Sequence, residues 1–157
     1  NDGYEVGGGT DPNSADSDGD GLADGWEVEH GLDPLAAGSD ATDDADGDGL
    51  DNLGEFVAGS DPNLADSDGD GLNDGLEVNT HGTDPAKTDS DGDGLSDYAE
   101  LNSHSTNPRA ADSDGDGLND GFEIMVGSDP KVDETGGSGS GPTGLEVFNP
   151  LQMLFGG

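Results

Sequence analysis

Apolar residues are thinly spread along this chain, and they recur in step. Five Asp-rich segments set the register: DSDGDGLADGWE from Asp16, DADGDGLDNLGE from Asp44, DSDGDGLNDGLE from Asp66, DSDGDGLSDYAE from Asp89 and DSDGDGLNDGFE from Asp112. Counting from each first Asp, a leucine stands at position 7 (Leu22, Leu50, Leu72, Leu95, Leu118). Another large apolar residue stands at position 13 (Val28, Phe56, Val78, Leu101, Ile124), and position 11 adds Trp26, Leu76 and Phe122. The segment starts lie 28, 22, 23 and 23 residues apart, the signature of a tandem array. Two or three apolar residues per repeat cannot form a core alone. They can plug the gap between neighbouring loops, which predicts a quasi-one-dimensional stack.

Positions 9 and 12 read Asp-x-x-Glu, or Asn-x-x-Glu in the second segment, a capping-box-like helix start. The pattern predicts a helix of about two turns from position 10, stopped by Gly31, Gly59, Gly82 or Gly127. Between loops recurs a second signal: Thr10-Asp11-Pro12, Leu32-Asp33-Pro34, Ser60-Asp61-Pro62, Thr83-Asp84-Pro85, Thr106-Asn107-Pro108 and Ser128-Asp129-Pro130. In five of the six, the next repeat's first acid follows the Asp or Asn by five residues. After Asp33 an insertion around Ala36–Thr42 stretches that spacing to eleven. Asn1–Glu5 aligns with positions 8 to 12 of a loop, so residues 1–15 read as the second half of a truncated repeat. Five tandem repeats over 16–134, a Gly/Ser linker over 135–144 and an apolar tail over 145–157 complete the organisation.

Charge sharpens this picture. The chain carries 38 acidic and 3 basic side chains, a formal net charge of −35, and only 27% apolar residues. Such a composition ordinarily leaves a chain disordered, because too little surface is buried to offset its entropy. No cysteine is present, so disulfides cannot supply the difference. A metal, a partner or no fold remain. Nucleic acid and anionic lipid would be repelled, and no run of 18 apolar residues offers a membrane span.

The acids themselves point to the metal. Oxygen-bearing side chains at 1, 3, 5, 9 and 12, with Gly at 6 for the turn and an inward carbonyl at 7, are the plan of a 12-residue calcium loop of the EF-hand type. The first loop places Asp16, Asp18, Asp20, the carbonyl of Leu22, Asp24 and Glu27 there. The second places Asp44, Asp46, Asp48, Leu50, Asn52 and Glu55; the third Asp66, Asp68, Asp70, Leu72, Asp74 and Glu77. The fourth supplies Asp89, Asp91, Asp93, Leu95, Asp97 and Glu100; the fifth Asp112, Asp114, Asp116, Leu118, Asp120 and Glu123. Two like charges about 4 Å apart repel by roughly 4 kcal/mol at an effective dielectric near 20. Five around one point require a cation. An all-oxygen, high-coordination site favours Ca²⁺ over Mg²⁺, and the absence of thiolates argues against zinc. A solvated acidic spacer is the bland alternative, and five loops in register outweigh it. The expectation is at least five Ca²⁺, with the second loop weakest because Asn52 removes a charge and the insertion loosens its approach.

These residues resemble the thrombospondin type 3 repeat in its cysteine-free bacterial form, over roughly residues 1–134. The resemblance implies calcium-wrapped rods poor in secondary structure, found in secreted and surface proteins, often with more than one ion per repeat. It also implies that Asp11, Asp33, Asp61, Asp84, Asn107 and Asp129 supply oxygens to adjacent sites. Dockerins share the loop, but a 22–23 residue period leaves too little chain for their full helix.

No enzyme constellation is visible. His30, His81 and His104 fall beside helix ends without convergent partners and read as C-terminal polar residues. The fold class expected is an irregular, metal-stabilised rod with short helices. The function expected is an extracellular, Ca²⁺-rigidified spacer or filament element. The alternative is a calcium-gated adhesin or tether whose tail, Leu145–Phe155, docks as a donated strand into another surface protein, whereas the same strand in another copy, head-to-tail, supports the filament. That tail equally fits a truncated domain or an expression tag. A calcium buffer or sensor ranks third, since sensors need longer helices around an apolar groove.

Overall fold

The computed structural model describes residues 9–11, 13–38 and 40–134. Residues 1–8 of the truncated repeat over 1–15, the linker and the tail expected to donate a strand lie outside them. Among the described residues there are short helices and no strand. Each repeat is an Asp-rich loop followed by one helix: α1 (Asp24–His30), α2 (Asn52–Ala58), α3 (Asp74–Leu76), α4 (Asp97–Ala99) and α5 (Asp120–Val126). α3 and α4 continue as wider π turns over Glu77–His81 and Glu100–His104.

The helices begin one residue earlier than the pattern predicts, and the cap is not the position-9 carboxylate. Position 8 caps instead: the side chains of Asp51, Asn73, Ser96 and Asn119 accept from the amides of Gly54, Leu76, Ala99 and Phe122. In α1 the cap is Ala23, which has no side chain to offer. Position 9 is otherwise engaged, because Asp24, Asp74, Asp97 and Asp120 each accept from the amide and hydroxyl of a serine at position 2.

The helix ends explain why the period alternates between 22 and 23. In every repeat the residue in left-handed conformation donates its N–H to the carbonyl of the position-12 Glu. In α1, α2 and α5 that residue is Gly31, Gly59 or Gly127, one ordinary turn past the Glu. In the third and fourth repeats an extra residue intervenes before Gly82 or Ser105. With both ends pinned, the extra residue is accommodated by widening the turn to π geometry. Ser105 takes the left-handed conformation at φ 58, where the other repeats use glycine.

The interior is unlike that of an ordinary domain. Leu22, Ala41, Leu50 and Leu72 are the buried hydrophobic side chains, whereas Leu95 and Leu118 are only half-buried. Beyond position 7 the apolar series stays wet, with Leu76, Phe122 and Ile124 exposed. Trp26 is shielded by His30 and by Phe56 of the next repeat, at ring separations of 4.4 and 5.2 Å. Among the described residues, most of what is buried completely is acid: Glu27, Glu55, Glu77, Glu100, Glu123, Asp74, Asp97 and Asp120, beside Asn52, Leu22 and Pro62.

Neighbouring repeats are joined by backbone. The amides of Gly75, Tyr98 and Gly121, at position 10, donate to Asp48, Asp70 and Asp93, at position 5 of the preceding loop. Asn79 and Lys131 reach back to the carbonyls of Gly49 and His104. These bonds all link nearest neighbours, as a one-dimensional array requires.

Candidate metal centres

Within each loop the first three acids are held by the chain around them. Position 1 accepts from the two loop glycines: Gly19 and Gly21 donate to Asp16, and Gly115 and Gly117 to Asp112. Position 3 accepts the amide of position 5 through one oxygen, and position 5 accepts that of the position-7 leucine. The second oxygen of position 3 is left buried without a partner in all five loops: Asp18, Asp46, Asp68, Asp91 and Asp114. Position 12 follows the same logic. Glu27, Glu55 and Glu123 have no partner on either carboxylate oxygen, and Glu77 and Glu100 have one oxygen free. The other oxygen of Glu77 and Glu100 accepts from Thr83 and Thr106, which gives the Thr of Thr-Asp-Pro a role the sequence pattern did not reveal.

Spatial grouping brings together the first three acids of the second, third and fourth loops. Asp44, Asp46 and Asp48 converge, as do Asp66, Asp68 and Asp70, and Asp89, Asp91 and Asp93, with oxygens mutually within 4.8 Å. Position 9, assigned from sequence to its own loop, also serves the loop before it. Asp120 lies within 4.8 Å of both Asp93 and Glu100 of the fourth repeat. In the same sense the charge of Asp74 raises the carboxyl of Glu55, that of Asp48 raises Asp74, and that of Asp70 raises Asp97. The junctions into the third, fourth and fifth repeats therefore gather acids from two repeats.

Burial pushes the carboxyls of Glu55, Glu77 and Glu100 up to about 8 and that of Glu27 to about 7, with neighbouring aspartates adding to the rise. Cationic side chains do not relieve this. Lys87 pairs with Asp84, Lys131 bonds a carbonyl, and the Arg109 guanidinium lies against Gly82. Buried carboxylate oxygens with neither donor nor countercharge are costly. A hard divalent cation removes that cost, and the donor set, all oxygen, suits it. The residues present fit Ca²⁺.

Five matches to the bacterial TSP3 repeat family cover residues 1–15, 16–37, 66–88, 89–108 and 112–132, well over half of the chain. The chain belongs to this family. Its repeats bind calcium, and the acidic clusters above fit a calcium-binding repeat protein. Residues 38–65, which hold most of the insertion and the second loop, fall outside the matches. Comparison with curated proteins and with solved structures gives no match. Among the described residues no helix is long and apolar enough to cross a membrane.

The Asp or Asn of the Asp-Pro signal has a local role. Asp11, Asp33, Asp61, Asp84, Asn107 and Asp129 each accept, through one side-chain oxygen, the amide two residues on. These Asx-turns reverse the chain into the next loop. His30, His81 and His104 sit in the last turn of their helices, His30 bonded to the carbonyl of Trp26. The acid that sequence reasoning missed is Asp40. It groups with Asp18, Asp20 and Glu27.

Proposed function

We propose that this chain is an extracellular, non-enzymatic spacer or filament element whose repeats are rigidified by Ca²⁺, at least one ion per loop. The observation that carries the reading is the set of five fully buried position-12 glutamates with unpartnered oxygens beside converging aspartates. An interior built of acid in place of hydrocarbon holds together only around cations, so binding free energy becomes folding free energy. Nearest-neighbour linkage supports the spacer role, since length then scales with repeat number. Extracellular placement rests on affinity: modules outside cells bind calcium at about 10⁻⁴–10⁻³ M, matched to its level there.

Five ions would bring the formal charge from −35 to about −25. Equilibrium dialysis at millimolar calcium should count five or more ions per chain. Small-angle scattering should show expansion towards a disordered coil when a chelator is added. Empty loops, or dimensions unchanged by chelation, would overturn the proposal.

A further inference from the structure

The first junction is built differently from the others, and the difference is systematic. At the junctions into the third, fourth and fifth repeats, a serine at position 2 relays between two groups. The hydroxyls of Ser67, Ser90 and Ser113 accept the amides of Asp61, Asp84 and Asn107, and donate to Asp74, Asp97 and Asp120. The aspartates so held face the preceding loop, as Asp120 faces Asp93 and Glu100. The second repeat lacks both halves of this device. Ala45 stands at position 2 and Asn52 at position 9. Without compensation, the first loop would have no carboxylate from its neighbour.

The insertion supplies one. The amide of Asp33, which by analogy would go to a serine hydroxyl, donates directly to Asp40 Oδ2 at 3.1 Å. Asn52 is fully buried, and its Nδ2 donates to the carbonyl of Asp40 at 2.8 Å. The amide of Leu53, at position 10, turns away from the preceding loop and donates to Ala41 at 3.0 Å. Asp20 Oδ2 is consequently left without the amide that Asp48, Asp70 and Asp93 receive. Asp40 is itself only 8% exposed, and its Oδ1 has no partner. Both oxygens of the fully buried Glu27, and the outer oxygen of Asp18, are unpartnered in the same group. The carboxylates of Asp18, Asp20, Glu27 and Asp40 lie within 4.8 Å of one another.

We propose that Asp40 replaces the missing position-9 aspartate of the second repeat, so that Asp18, Asp20, Glu27 and Asp40 hold one Ca²⁺ at the first junction. Asn52 is then a positioning residue that clamps the insertion through its amide, and not a weakened ligand of the second loop. The acid has moved in sequence while keeping its place in space. This inference rests on the calcium-binding reading above.

Calorimetric titration with Ca²⁺ tests it, using the full chain and three variants. Asp40→Asn keeps an oxygen acceptor for the Asp33 amide while removing the charge. It should lose one ion from the stoichiometry, or weaken one site by roughly tenfold or more, with the other sites unchanged. Asp43→Asn makes the same charge change at an exposed residue of the same segment and should leave every site intact. The triple variant Asp40→Asn, Ala45→Ser, Asn52→Asp rebuilds the serine–aspartate relay and should restore the lost site. Asp40→Asn titrating like the parent chain or like Asp43→Asn overturns the inference while leaving the calcium reading in place. So does a loss at several sites that the triple variant fails to repair. A parent chain that binds no Ca²⁺ overturns the calcium reading itself.

Discussion

The amide of Gly121 donates to the carboxylate of Asp93 across 2.8 Å, tying the start of one helix to the loop of the repeat before it. A Cβ built on Gly121 would stand 2.4 Å from the carbonyl oxygen of Asp93. Gly75 makes the same approach to Asp48. Where position 10 does carry a side chain, that side chain lies over the position-6 glycine of the preceding loop, as Tyr98 lies over Gly71 and Leu53 over Gly21. The junction into the fifth repeat has settled on the close backbone approach. Gly121→Ala should therefore force the two repeats apart and destabilise the calcium-loaded chain by about 1–3 kcal/mol. Thermal unfolding at saturating calcium would read this as an earlier transition, and an unchanged midpoint would contradict it.

Calcium binding should release protons at neutral pH. As long as the metal-free loops keep this fold, the carboxyls of Glu55, Glu77 and Glu100 are pushed up to about 8, because burial and neighbouring acids disfavour their charged forms. At pH 7 they hold protons that a cation must displace. Affinity should accordingly weaken as pH falls below about 8. The metal-free chain behaves in the opposite sense. A carboxyl with a raised folded-state value binds protons better folded than unfolded, so its contribution is complete below the ordinary glutamate range near 4.5 and is lost as pH rises through about 8. Chelated protein should thus be more compact at pH 5 than at pH 8. Titrations in two buffers of different ionisation enthalpy would count the protons, and a binding heat independent of buffer would rule the mechanism out.

Ser105 offers a test of the helix ends. It is the one non-glycine residue with positive φ among the described residues, and it occupies the place of Gly31, Gly59, Gly82 and Gly127. Ser105→Gly removes the Cβ penalty of the left-handed conformation, partly offset by the entropy of a freer unfolded chain. The expected gain is about 0.5–1 kcal/mol, seen as a later unfolding midpoint with calcium affinity unchanged.

Asn52→Asp, made alone, is a sharper case. Counting loop charges from the sequence, the added carboxylate should tighten the second loop. The structure adds a second effect, at the first junction. Asn52 Nδ2 holds the carbonyl of Asp40, and a carboxylate in its place loses this donor and stands beside further acid. The buried bond is worth about 1–3 kcal/mol when one partner is left unsatisfied. Affinity at the first junction should fall, and tighter binding by calorimetry would contradict the clamp.

Much of this protein is legible in its sequence, and the reason is local. Spacing along a 12-residue loop dictates which carboxylates converge, because Gly19, Gly21 and their counterparts fold the chain back on the first aspartate within a few bonds. Helix stops are equally local, since Gly31, Gly59, Gly82 and Gly127 take a conformation that costs glycine nothing. The Ala36–Thr42 insertion, expected to loosen the approach to the second loop, carries two buried residues. Asp40 and Ala41 bond there to Asp33 before them and to Asn52 and Leu53 of the second loop, contacts that a loop pattern does not inspect.

The sequence by itself determined that there are repeats, where each loop begins, that the loops offer only oxygen donors, and that acid would outweigh hydrocarbon. Tertiary structure alone decided how the acids are shared. Position 9 bonds its own loop's serine yet faces the loop before it, a relation that depends on how one helix seats against its neighbour. Likewise an aspartate in an insertion could replace an absent one, because electrostatic complementarity is satisfied by where a carboxylate stands in space, whichever stretch of chain delivers it.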